Sequence, residues 1–314
     1  MTLNEPTNAP INVIVDDPSF EALIDPGAAL VKIGDGYEFS EGPVWNQRQQ
    51  ALYFSDIPGD KRWRWTEAGG MELDAAPTFK GNGLAFDVDG SLLVCEQVSS
   101  CLTRIHADGR RELVAWHLDG VYLNSPNDVV VRSDGSIYFT DPDYGRWNDW
   151  IGCKREFVRD VKGVYRVPPG GGPVELVVEP HEFEQLNGLC FSPDESILYV
   201  NDSPRAEIKA FDVNPDGSLG PCRMFRDKIG AGTMAEGNLD GMECDALGNI
   251  WTSGPGGVWI LNPAGERIGA ITTPEICGSV VFGGPDLTTL FLTTTTTVHL
   301  MDTKVQGTPL PGPT

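Results

Sequence analysis

NDVVVRSDGSIYFTDP, residues 127–142, reads as two short apolar strands joined by a tight turn. A polar pair, Asn127-Asp128, opens it, and three valines follow. Asp134-Gly135 supplies the turn, and Ile137 to Thr140 form the returning strand. Asp-Gly between two apolar runs is a strong local hairpin signal. The same pattern recurs in both directions along the chain. EGPVWNQRQQALYFSD begins at Glu41 and NGLAFDVDGSLLVCEQ at Asn82. NGLCFSPDESILYVNDS begins at Asn187 and DGMECDALGNIWTSG at Asp240. GSVVFGGPDLTTLFLTT, from Gly278, is a weaker sixth copy. The starts are 41, 45, 60, 53 and 38 residues apart. A self-similar period of roughly 40–50 residues is that of a four-stranded propeller blade.

A second hairpin follows most copies. CLTRIHADGRRELVA (101–115) turns at Asp108-Gly109, and EIKAFDVNPDGSLGPCRMF (207–225) turns at Asp216-Gly217. Two hairpins per unit give four antiparallel strands, and six units predict an all-β, six-bladed β-propeller. The sixth unit has room for only one good outer strand. ALVKIG (29–34), ahead of the first copy, is expected to complete it and so close the ring. This divides the chain into an N-terminal extension (1–28), one propeller domain (29–307) and a C-terminal tail (308–314). The longer gaps, 143–162 and 226–239, are expected to form loops over a binding mouth.

In such a ring the innermost strands line a central channel. Equivalent positions therefore face one another: Glu41, Asn82, Asn127, Asn187, Asp240 and Gly278. Asn, Asp and Glu also start strands because they suit turns. A scaffold, however, needs no oxygen-bearing side chain at five of six aligned positions. Carboxylates converging in a narrow channel repel one another and lose solvation, and a bound cation relieves both costs. Carboxylate and amide oxygens suit a hard dication such as Ca²⁺ or Mg²⁺.

Composition narrows the function classes. The net charge is −22 over 314 residues, which disfavours nucleic-acid and anionic membrane partners. No run approaches the ~18 apolar residues of a membrane helix. The opening MTLNEPTNAPINVIVDD lacks the pattern of a secretory leader, and seven cysteines without a C-x-x-C suit a reducing compartment. A cytoplasmic protein is the expectation. The sequence has no G-x-S-x-G elbow and no H-E-x-x-H pair, so serine-hydrolase and zincin chemistries find no support. The tryptophans are expected to pack between blades. Nothing in the sequence fixes an oligomeric state.

EGPVW (41–45), LNSPNDVVVRSDGSIYFTDPDYG (123–145), LNGLCFSPDESILYVND (186–202) and the Asp240-Gly241 copy together resemble the senescence-marker-protein/gluconolactonase family, which includes regucalcin. The resemblance covers about residues 38–300 and leans toward its bacterial gluconolactonase-type branch. It implies a six-bladed propeller with one central divalent cation, Ca²⁺ first and Zn²⁺, Mg²⁺ or Mn²⁺ as alternatives. It implies Glu41, Asn127, Asn187 and Asp240 as the metal ligands. The implied activity is hydrolysis of sugar lactones, with Asp240 and Glu41 as the catalytic carboxylates. Asp240 would position or deprotonate the attacking water. Asn82, Ser125, Asp141 and Tyr144 are the expected substrate-pocket residues. Ser125 departs from the regucalcin pattern, which has Arg there. Glu96, Asp202 and Ser253 end second strands, where either surface turns or the mouth would take them. Two rival readings keep the fold: a fluorophosphatase-like phosphotriesterase, and a non-catalytic propeller that binds calcium or a partner.

Overall fold

In the computed structural model, residues 8–10, 13–25, 27–156, 160–178 and 181–309 are described. Parts of the expected extension (1–7, 11–12 and 26) and of the expected tail (310–314) lie outside them. Six antiparallel sheets of four or five strands follow one another along the chain. Their innermost strands are Ser40–Asn46, Gly81–Phe86, Val129–Val131, Leu186–Phe191, Met242–Cys244 and Cys277–Gly283. These define blades 1 to 6. Each inner strand packs beside the next, and that of blade 6 packs against that of blade 1, so the ring closes.

The hairpin that began the sequence reading forms as expected, with Val129 opposite Phe139 and Val131 opposite Ile137. Its turn shows why Asp-Gly-Ser recurs. Gly135 takes a φ of +86°, and the Asp134 carboxylate accepts the Ser136 N–H at 2.8 Å. Asp89 with Ser91 and Asp216 with Ser218 make the same bond.

Ala29–Asp35 forms the strand beside Thr297–Asp302 in blade 6, pairing Val31 with Leu300 and Asp35 with Thr297. The chain start therefore staples the ring to its last unit. Upstream residues add fifth strands: Asn8–Pro10 in blade 6 and Val13–Val15 at the edge of blade 5. Phe20, Leu23 and Ile24 bury into the core shared by those blades.

The apolar core lies between blades. The described residues form six clusters, one at each junction between neighbouring blades. At the closing junction Trp45 stacks on Phe291 at 5.3 Å between ring centroids, and Trp65 meets the same ring edge-on. Trp251 meets Phe282 across the blade 5–6 junction. Trp116, Trp147 and Trp150 depart from that packing role and are exposed. All seven cysteines are free thiols, Cys95 and Cys101 included. Among the described residues no helix is long and apolar enough to cross a membrane.

Candidate functional site on the propeller axis

Each axial residue stands at the mouth of its inner strand, and the backbone there departs from regular pairing. Register shifts lie between Glu41 and Val44, between Gly81 and Leu84 and between Leu186 and Leu189. An irregularity of this kind re-aims a side chain that would otherwise alternate with the pleat.

The glycine after the axial residue has a steric cause. A Cβ on Gly42 would lie 2.2 Å from the Asn82 carbonyl oxygen, and one on Gly188 would lie 2.2 Å from that of Asp240. At these two positions neighbouring inner strands approach too closely for any side chain. Second-strand side chains then stitch the ring together. Ser55 Oγ donates to the Asn82 carbonyl at 2.7 Å and Thr140 Oγ1 to that of Asn187 at 2.8 Å. Asn201 Nδ2 donates to that of Asp240 at 2.6 Å.

A second device fixes the segment entering each axial position. A buried aspartate ending the second strand accepts two backbone N–H groups just upstream of the axial residue. Asp56 accepts from Glu38 and Phe39, Asp141 from Asn124 and Ser125, and Asp202 from Glu184 and Gln185. In blade 5 Ser253 Oγ accepts the Asp240 N–H at 2.7 Å. Ser125 is itself wholly buried, its hydroxyl donating to the Pro142 carbonyl and accepting the Gly145 N–H. Ser125 and Asp141 thus bond the backbone of the 123–145 segment. Glu96 is likewise committed, to Arg111 and Thr103.

Glu41, Asn82, Asn127 and Asn187 are buried at the head of the channel. The Glu41 and Asp240 carboxyls stand close enough for the charge of Asp240 to act on Glu41, and Asn187 lies beside Asp240. Asn187 Nδ2 also donates to Ser203 Oγ at 3.2 Å. Burial, then the Asp240 charge, pushes Glu41 well above the usual carboxylate range. Burial, then the Asp128 charge, raises Asp240 to about 7. One oxygen of Glu41 accepts the Gly42 N–H at 2.9 Å, while Oε1 is buried without a hydrogen-bond partner. Gly278, the axial position without an oxygen, faces that atom: a Cβ there would lie 1.9 Å from Oε1. The sixth blade gives up a side chain so that the Glu41 carboxylate fits.

Tyr144 sits at the edge of this ring, on the short helical turn Tyr144–Arg146. Its hydroxyl donates to the Gln185 carbonyl at 3.3 Å, beside Ser203 and within the field of Asp240. Burial first of all holds that hydroxyl protonated. The structure thus brings Glu41, Asn187, Asp240 and Tyr144 together, and adds Ser203 and Asp128, which the sequence reading had not singled out. Asp128 carried a signal: the position after the axial residue is glycine in blades 1, 2, 4 and 5, and aspartate here. Beyond the glycine layer the channel opens into a cavity of about 410 Å³, where Asp128 and Glu243 stand among apolar walls.

Fold and site together define a six-bladed propeller with a polar, oxygen-lined centre on its axis. The chain belongs to the SMP-30/Gluconolactonase/LRE-like family, whose characteristic region matches residues 39–296. It is 31% identical over 310 residues to a gluconolactonase of Zymomonas mobilis, covering 92% of this chain and 85% of that one. It is 27% identical to a 6-deoxy-6-sulfogluconolactonase of Pseudomonas putida, covering 81% and 82%. A solved gluconolactonase structure from Xanthomonas campestris superposes with a TM-score of 0.86 at 31% identity, covering 96% of this chain and 99% of that one.

Proposed function

We propose that this protein is a lactonase that opens sugar lactones by water attack at the axial centre. The carrying observation is the pair of facing carboxyls, buried Glu41 and half-buried Asp240, at the head of the channel with Oε1 of Glu41 unpartnered. The relatives named gluconolactonase and sulfogluconolactonase supply the substrate class.

The donor set fits a divalent cation. A buried carboxylate oxygen without a hydrogen-bond partner and a second carboxylate facing it call for a positive charge. Among the described residues no group of three or more His, Cys, Asp or Glu side chains is placed to hold a metal. The ring is instead carboxylate and amide, so Glu41 and Asp240 would hold the ion with Asn127 and Asn187. All-oxygen ligation favours Ca²⁺, then Mg²⁺ or Mn²⁺, over Zn²⁺. When bound, such an ion polarises the lactone carbonyl and stabilises the charge that develops on its oxygen.

The chain's own groups do the rest. Asp240 orients the water and takes its proton. The water oxygen bonds to the carbonyl carbon, the ring C–O bond breaks, and the ring oxygen leaves as a hydroxyl carrying that proton. Tyr144 presents a neutral hydroxyl at the rim, and Asn82 faces the same space from blade 2. A cytoplasmic setting suits the seven free thiols.

The deciding assay follows acid release from glucono-δ-lactone with a pH indicator. It uses chelator-stripped protein, then separate additions of Ca²⁺, Mg²⁺, Mn²⁺ and Zn²⁺, each corrected for spontaneous hydrolysis. Turnover lost on stripping and restored by a dication is the expected result. Folded protein that is inert with every ion, or that hydrolyses only phosphotriesters, would overturn the reading.

A further inference from the structure

We infer that Trp147 is the platform on which the ring of a six-membered sugar lactone stacks, an inference that rests on the lactonase reading. Residues 143–156, within the connection between the second and third strands of blade 3, cross the face that carries the axial site. Arg146 pins this strap, donating to the carbonyls of Leu123 and Asn124 and to that of Glu156. Arg155 pins it to blade 2, through the carbonyls of Gln97 and Val98. At its far end the Trp150 carbonyl accepts from Lys80 Nζ at 2.7 Å, and the Trp150 ring lies 5.7 Å from Phe39 of the blade 1 entry.

Within this strap Trp147 combines exposure with fixed orientation. It is 50% exposed. Its Nε1–H donates at 2.8 Å to the Asp143 carboxylate, which is buried and also bonded to Gln185 Nε2. Its ring packs edge-on against Tyr144 with centroids 4.9 Å apart. The Tyr144 hydroxyl in turn reaches Gln185, two residues before axial Asn187. The indole therefore stands one ring further out than Tyr144 along the same wall. An isolated exposed aromatic needs no explanation. One whose polar edge is anchored on a buried carboxylate presents a rigid, uncovered apolar face at little entropic cost.

Geometry then selects the ligand class. The reacting carbonyl must reach the axis, so the rest of the ring lies outward, against the wall. A cyclic polyol has an apolar C–H face beneath a hydroxyl rim. That face would cover the indole, while the hydroxyls keep to water and to the polar groups of the strap. Trp147 and its anchor Asp143 thus favour pyranose-type lactones through binding, and leave the chemical step to the axis.

The test uses a non-hydrolysable ring, glucono-δ-lactam, and reads tryptophan fluorescence and steady-state kinetics in parallel. Saturable quenching by the lactam is expected in the unaltered protein and should vanish in Trp147→Ala and Trp147→Phe alike. Trp147→Ala should raise KM for glucono-δ-lactone roughly three- to tenfold with kcat unchanged within about twofold, the mark of lost uniform binding. Trp147→Phe, which keeps an aromatic face, should recover most of that KM. Trp116→Ala, an exposed tryptophan outside the strap, should leave both constants unchanged. Wild-type KM and lactam affinity in folded Trp147→Ala would overturn the platform and leave lactonase activity standing. Lactam quenching through Trp147 in a protein that turns over no lactone would keep the platform and overturn the hydrolysis. Neither quenching nor turnover would overturn both.

Discussion

The axial centre is built by subtraction as much as by addition. Glu41 can point into the channel because the residue facing it, Gly278, has no side chain. Gly278→Ala should push the carboxylate aside and reduce kcat roughly a hundredfold, since ångström-scale misplacement of a reacting group costs that much. Circular dichroism should show the fold retained, and a wild-type kcat would refute the steric account. The Glu41 carboxyl itself is a strained ground state without a cation, buried beside Asp240 with one oxygen unpartnered. Glu41→Gln should therefore raise the melting temperature of chelator-treated protein by about 2–5 °C, while abolishing stabilisation by added Ca²⁺. A variant that melts lower than the parent in chelator would show that the carboxylate is satisfied as it stands.

At the scale of elements, the second strand of each hairpin works chiefly as a clamp on the first. Asp141 accepts two buried backbone N–H groups upstream of Asn127, as Asp56 and Asp202 do in their own blades. Asp141→Ala would strand both donors and should cost about 2–4 kcal/mol in urea unfolding. Activity should fall with it, because the segment carrying Asn127 loses its anchor. The clamp also explains what the sequence did and did not disclose. Six recurring hairpins, two of them with Asp-Gly turns, and a spare strand at 29–34 made the propeller and its closure readable, because both depend on local pattern. The axial set was readable for the same reason: one position per copy carries it. Ser125 and Asp141 read as pocket residues because a polar residue near a strand end has two possible faces. Only the three-dimensional path of the 123–145 segment turns them inward, onto Pro142 and the backbone of Ser125. The strap beyond them follows no repeat, so its course from blade 3 to Phe39 left no trace in periodicity.

For the whole molecule, the central channel is where electrostatics and stability meet. Net charge is −22, and acid lies along the axis as well as on the surface: Glu41 and Asp240 at the head, then Asp128, then Glu243 by the cavity. Burial, then the charge of Asp128, raises Glu243 from its ordinary 4.5 to about 8. Burial raises Asp128 to about 6. A carboxyl that holds its proton more tightly when folded stabilises the fold only while protonation is possible. The contribution of Glu243 is fully present below about 4.5 and is lost as the pH rises toward about 8. Glu243→Gln, which keeps the shape and removes the ionisation, should barely alter the melting temperature at pH 4.5 and should raise it clearly at pH 8.5. The two curves of melting temperature against pH, recorded in chelator, should separate progressively across that window. Parallel curves would mean that Glu243 is solvated or paired, and that the far end of the channel carries no electrostatic load. A separation that collapses in the Asp128→Asn background would assign the excess to the Asp128–Glu243 repulsion, since removing one partner of a coupled pair removes the coupling.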